Sequence, residues 1–256
     1  MLHYTTHGDA TAERPLVIVH GLYGSGRNWG VIARRLFDDR QVVTPDMRNH
    51  AHSFWDDRHD YPALAEDLAK LIESLGGEAD VVGHSMGGKA SMMLALTRPE
   101  LVARLIVADI APVPYTHDQT QFIQAMRAVD LSKVEKRSDA IDQLAVNVPD
   151  TTLQTFFTQS LDLPNKRWRL NLDALEDQMA NVIGFPADVS GSFSGPTLFL
   201  SGAESDYVKP EYRDLTRGLF PKARFAKIPG AGHWLHAEKP REFEASVRAF
   251  LERAKA

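Results

Sequence analysis

The sequence predicts an α/β fold, a mostly parallel, doubly wound sheet with an inserted helical cap. Short β-branched runs alternate with longer segments of helical period, the signature of βα repetition. Several of those runs are apolar on both faces, as strands covered by helices on each side must be. One long stretch keeps helical pattern but offers no buried strand, and so interrupts the alternation.

In chain order, the expected strands are Leu16 to His20, Gln41 to Pro45, Ala79 to Gly83, Leu105 to Asp109, Pro196 to Ser201 and Ala223 to Ile228. A helix is expected from Tyr61 to Leu75, where Leu64, Leu68, Leu71, Ile72 and Leu75 share a face. Further helices are expected from Met86 to Thr97, Pro210 to Leu219 and Arg241 to Arg253. The interruption runs from Pro112 to Ser194 and closes in the loop-like Ser190-Gly191-Ser192-Phe193-Ser194-Gly195-Pro196. It reads as a cap over residues 112–194, inserted into a core of residues 1–111 and 195–256.

Composition narrows the function classes. The 256 residues are 43% apolar and 25% charged, values of an ordinary folded protein. A net charge of −5 gives no electrostatic reason to expect nucleic acid or an anionic membrane as a partner. There is no cysteine, so disulfides, thiolate metal sites and a Cys nucleophile are excluded. The first residues lack the basic start and apolar stretch of a secretory signal, and no apolar run approaches the ~20 residues of a membrane-spanning helix. A cytoplasmic protein is therefore expected. No histidine pair has helical ligand spacing with carboxylate support, so no metal is expected.

The chemistry is carried by Gly83-His84-Ser85-Met86-Gly87, a G-x-S-x-G run between an expected strand and an expected helix. That setting is what a nucleophile elbow requires. The serine takes a strained backbone position, and flanking glycines let strand and helix pass closely. Ser85 is the candidate nucleophile, and the Met86 N–H at the helix start is a candidate oxyanion donor. A second donor is expected at Leu22 N–H, in His20-Gly21-Leu22-Tyr23-Gly24 after the first strong strand. Gly24-Ser25-Gly26 is not followed by Gly-Lys-Ser/Thr, which removes a phosphate loop.

A serine hydroxyl needs a base. Of ten histidines, His233 fits by placement: it lies between the last expected strand and the terminal helix, and it follows the serine in chain order. His236 and His20 are expected to be structural, and His84 to point away from Ser85. The acid is less regular. Gly202-Ala203-Glu204-Ser205-Asp206-Tyr207-Val208, after the Pro196 to Ser201 strand, offers Glu204 and Asp206 with Ser205 between them. Asp109, at the end of a strand that should neighbour the nucleophile strand, is the candidate acid, with Asp206 the alternative. Asp46 and Arg48 are expected to brace a neighbouring loop by charge-assisted bonds.

The runs Val19 to Ser25, Asp46 to His50, Gly83 to Ala90, Asp109 to Val113 and Gly230 to Pro240 together resemble the α/β-hydrolase superfamily over nearly the whole chain. Within it, the chain resembles the small bacterial YbfF-type esterases. The resemblance implies an α/β-hydrolase fold and hydrolysis of a small acyl ester or thioester through an acyl-enzyme, without a cofactor. It implies an acid in a Gly-x-x-Asp frame, where this chain has Ser205, with Glu204 one residue early and Asp206 one late, and so points to Asp109 as the acid with Ser205 as a supporting hydrogen-bonding group. A carbon–carbon bond hydrolase, a perhydrolase and a non-catalytic binding homologue are the alternatives on the same scaffold. The cap's Phe122, Met126, Phe156, Phe157, Trp168, Met179 and Phe185 either pack its own interior or line an acyl pocket.

Overall fold

A computed structural model describes residues 1–253. The chain enters as β1 (Tyr4–His7) and β2 (Leu16–Val19), followed by α1 (Gly30–Leu36), β3 (Val42–Pro45) and α2 (Tyr61–Ser74). Next come β4 (Ala79–His84), α3 (Met86–Thr97) and β5 (Val102–Ala108). Five helices follow: α4 (Thr120–Arg127), α5 (Arg137–Leu144), α6 (Thr151–Thr158), α7 (Leu172–Asp177) and α8 (Met179–Ile183). A two-stranded ladder, β6 (Leu161–Asp162) with β7 (Arg167–Trp168), sits among them. The chain then returns to the sheet as β8 (Thr197–Gly202), α9 (Arg213–Leu219), β9 (Ala223–Ile228), α10 (Leu235–Glu238) and α11 (Pro240–Arg253).

The main sheet has seven strands in the order β1-β3-β2-β4-β5-β8-β9, parallel except for β1. Because side chains alternate across a strand, Val17, Val19, Val81, Leu105 and Val107 pack into one core layer. Leu16, Ile18, Val82, Ile106 and Ala108 pack into the other, with Ile32 of α1 and Phe243 and Val247 of α11. Both faces are thus covered, which is why the central strands read as continuous apolar runs. The charges buried within them are Asp80 of β4 and Arg104 of β5, which share two bonds of 2.6 Å, and Arg40 adds a third bond to Asp80 at 2.8 Å.

Several expectations need correction. The edge strand β1 was not anticipated: it exposes three of its four residues, so no hydrophobic alternation marks it. Helix α1 also went unread; it is short and opens on Gly30, a poor helix former. β5 starts three residues before the expected Leu105, and Asp109 lies just beyond its end. The segment Pro210 to Leu219 begins as a 3-10 turn before α9. The cap stretch, read as strandless, contains the β6–β7 ladder, too short at two residues each to leave a periodic signal.

Candidate active site

The site assembles at the carboxyl ends of β4, β5 and β8, the crevice where open α/β sheets bind ligands. Ser85 connects β4 directly to α3 with φ 53° and ψ −120°, a left-handed conformation for a residue with a side chain. The turn is made possible by its glycines. A Cβ on Gly83 would lie 2.4 Å from the Gly87 carbonyl oxygen, and one on Gly87 would lie 2.4 Å from that of His20. Strand and helix therefore touch backbone to backbone on both sides of the serine, and the strain turns its hydroxyl outward. That hydroxyl borders a cavity of about 280 Å³ and makes no hydrogen bond among the described residues.

His233 borders the same cavity from the loop between β9 and α10. Its Nδ1 lies 2.7 Å from Asp109 Oδ2. Asp109 is fully buried, and it too has positive φ, 51°, which turns its carboxylate off the end of β5. Its other partners are donors: Gly202 N–H to Oδ1 at 3.0 Å and Ser205 Oγ–H to Oδ2 at 2.5 Å. A carboxylate can only accept, so His233 presents Nδ1–H to it. The neutral ring then keeps a free Nε2 as a proton acceptor.

The structure thus brings Ser85, His233, Asp109 and Ser205 together. Asp206 and Glu204 are exposed and make no bond to His233. Leu22 and Met86 border the cavity beside Ser85, and neither backbone N–H donates to another group among the described residues. The Gly21 backbone is close enough that a Cβ there would sit 3.2 Å from Ser85 Cβ, which sets the Leu22 amide next to the serine.

Neighbouring histidines are structural, as expected, but His84 has a contact that its sequence position did not reveal. Its Nε2–H donates to the His233 carbonyl at 2.9 Å, and its ring packs 4.7 Å from the His233 ring. Burial, with His233 and His236 adding to it, holds His84 well below the ordinary imidazole range, so it is a neutral prop. His20 braces the Leu22 loop: Met47 N–H donates to its Nε2 at 2.9 Å, and its Nδ1–H reaches the Gly21 carbonyl at 2.8 Å. His236 stacks on Trp29 at 4.0 Å. Asp46 bonds His3 and Gly26 N–H, whereas Arg48 makes a two-pronged pair with Asp67 at 2.6 and 3.0 Å. Both brace their loop, through different partners.

Two features of the site escaped the sequence reading. Tyr207 stacks on the His233 ring at 4.1 Å, and its N–H donates to Ser205 Oγ at 3.3 Å. Lys89, one turn beyond Ser85 on α3, lines the cavity. A lone tyrosine in a loop has no sequence signature, and a lysine in a helix ordinarily reads as a solvated one. The cap's aromatic and methionine side chains divide between the two roles. Phe122, Phe156 and Phe157 line the cavity, while Met126, Trp168 and Met179 are buried in the cap's packing and Phe185 lies near Tyr61.

A parallel doubly wound sheet with a strained serine at its central strand-to-helix turn, facing a carboxylate-held histidine, defines a serine-hydrolase type of scaffold. The alpha/beta hydrolase fold profile matches residues 14–240, and the chain belongs to that family. It is 41% identical over 256 residues to the sn-1-specific diacylglycerol lipase ABHD11 of Mus musculus, covering 95% of this chain and 82% of that one. It is 37% identical over 241 residues to esterase YbfF of Escherichia coli K12, covering 93% and 92%. Among solved structures, a marine microorganism esterase superposes with a TM-score of 0.92 at 36% identity, over 97% of this chain and 98% of that one. Among the described residues no helix is long and apolar enough to cross a membrane.

Proposed function

We propose that Ser85, His233 and Asp109 form the catalytic triad of this carboxylic-ester hydrolase. Ser85 Oγ attacks the acyl carbonyl while His233 Nε2 takes its proton, and the Asp109 carboxylate stabilises the resulting imidazolium. The Leu22 and Met86 amides hold the oxyanion, free as they are of other partners among the described residues. His233 then passes its proton to the departing alkoxide, which leaves the acyl group on Ser85. Water, deprotonated by the same imidazole, releases the acid and restores the serine. Ser205 and the Gly202 amide hold Asp109 in place, and residues 112–194 act as a cap that closes the acyl site over the core of residues 1–111 and 195–256.

The observation that carries this reading is the 2.7 Å contact between His233 and Asp109, which lie 124 residues apart in sequence, beside the serine of a strained elbow. Kinship to named esterases and a lipase agrees with ester substrates. Acyl thioesters fall within the same chemistry, because the oxyanion site and the base act on either carbonyl. Turnover of short-chain aryl esters and acyl thioesters, compared between the wild type and Ser85→Ala, tests the reading. Wild-type hydrolysis that falls at least about a thousandfold in the variant is expected. Full turnover by Ser85→Ala, or wild-type turnover of neither class, overturns it.

A further inference from the structure

Lys89 is a charge in an unusual place. It is 1% exposed, and its ammonium lies in the wall of the cavity that also contains Ser85 and His233. Two donors are used: Nζ–H groups reach the carbonyls of Ile183 at 2.9 Å and Gly184 at 2.5 Å, at the end of α8 in the cap. The rings of Tyr115 and Tyr61 lie 4.7 and 5.7 Å from Nζ. An ammonium has three donors, and among the described residues no carboxylate pairs with this one. A structural lysine needs neither the proximity to the nucleophile nor the missing counterion; a clamp on two carbonyls could be made by a neutral amide.

The charge costs the free protein something. Burial alone drops Lys89 to about 7, with no neighbouring anion to oppose the shift. A buried cation without a counterion is a poor choice for fold stability, but it is what an anionic ligand requires. Much of the rest of the cavity wall is apolar, including Leu22, Ile110, Phe122, Leu153 and Phe156.

Resting on the hydrolase reading above, we propose that Lys89 is a specificity-determining residue that selects esters whose acyl chain carries a carboxylate at its far end. The amide of Lys89 bonds the Ser85 carbonyl at 3.0 Å, so the two residues are one helical turn apart, roughly 6 Å along the axis. With both residues lining one cavity, the arrangement suits a half-ester of a short dicarboxylic acid: the scissile carbonyl meets Ser85, a few methylenes lie along the apolar wall, and the free carboxylate takes the third Nζ–H. Closing the cavity around such a substrate removes water from the ion pair and strengthens it.

The test compares 4-nitrophenyl hemiadipate with 4-nitrophenyl hexanoate, esters of matched chain length that differ in the terminal carboxylate. In the wild type, kcat/KM for the hemiadipate is expected to exceed that for the hexanoate, with the difference in KM. Lys89→Met should lower the ratio of the two values by about 10- to 100-fold, the worth of one charge-assisted hydrogen bond. A wild type that favours the neutral ester overturns the proposal even if the variant does not fold. An unchanged ratio in a folded Lys89→Met overturns it as well. Turnover of neither ester by the wild type refutes the hydrolase reading and this inference together; good hexanoate turnover without hemiadipate preference refutes this inference alone.

Discussion

Asp109→Asn isolates the electrostatic part of the site, because it removes a charge while keeping the shape. The carboxylate accepts from Gly202 N–H, Ser205 Oγ–H and His233 Nδ1–H. An amide cannot satisfy all three. If its oxygen stays on Gly202, its NH2 faces Nδ1, and His233 must adopt the tautomer with its proton on Nε2, which cannot accept from Ser85. If the amide flips, a buried N–H is left opposite another donor. Stabilisation of the imidazolium is lost in either case. Charges about 4 Å apart at an effective dielectric near 20 interact by about 4 kcal/mol. That is about three decades in rate, and the wrong tautomer extends it toward the ~10⁴ known for such a replacement in serine-protease triads. Stopped or steady-state assays on a chromogenic ester should therefore show kcat falling about 10³- to 10⁴-fold with KM little changed. Asp206→Asn, an exposed side chain, should stay within about twofold. A kcat for Asp109→Asn above about a tenth of wild type, or an equal loss in Asp206→Asn, would refute the assignment.

Ser205→Ala removes one donor from Asp109 Oδ2 and leaves the His233 bond in place, so a loss of kcat of about 5- to 50-fold is expected, far short of the Asp109→Asn effect; no loss would exclude Ser205 from the network. Asp80→Ala leaves Arg104 a buried cation without its carboxylate, while Arg40 keeps Asp39 at 3.3 Å, and should cost about 3–5 kcal/mol in denaturant unfolding, with kcat of the folded fraction unchanged, because Asp80 lies at the opposite end of β4 from Ser85. His59 and His236 are pushed to about 3 by burial, and His50 and His84 also lie well below the usual value. Their folded forms resist a proton that the unfolded chain accepts near its ordinary value of 6.5, so stability is full above about 6.5 and falls as pH drops below it. Each such histidine contributes up to about 1.4 kcal/mol per pH unit, and cooperative acid unfolding is expected between about pH 5 and 4. A circular-dichroism titration with no loss of structure down to about pH 3.5 would contradict this.

Much of the architecture could be read from the chain, because burial on both faces of a parallel sheet writes itself as apolar runs such as Leu16 to Val19 and Leu105 to Ala108. What could not be read lacks that imprint: β1 is an exposed edge, and β6 and β7 are too short for a period to register. The serine was legible because the close passage of β4 and α3 demands glycine on both sides of it. That Asp109 would lie in the crevice beside Ser85 was legible through the adjacency of neighbouring strand ends, whereas its contact with Ser205 was suggested by the family resemblance alone. Tyr207 and Lys89 were not legible, since their placement depends on loop and cap packing that no local pattern encodes. His84 was expected to point away from the serine, and its Nε2–H is bonded to the His233 carbonyl.

The central claim is that Ser85 is the nucleophile, and intact-protein mass spectrometry after treatment with an alkyl fluorophosphonate tests it most directly. One phosphonyl group should add to the wild type, peptide mapping should place it on Ser85, and loss of esterase activity should follow the extent of labelling. Ser85→Ala should gain no mass. Labelling of Ser85→Ala at the wild-type rate, or an adduct on any other residue that tracks the loss of activity, would contradict the account.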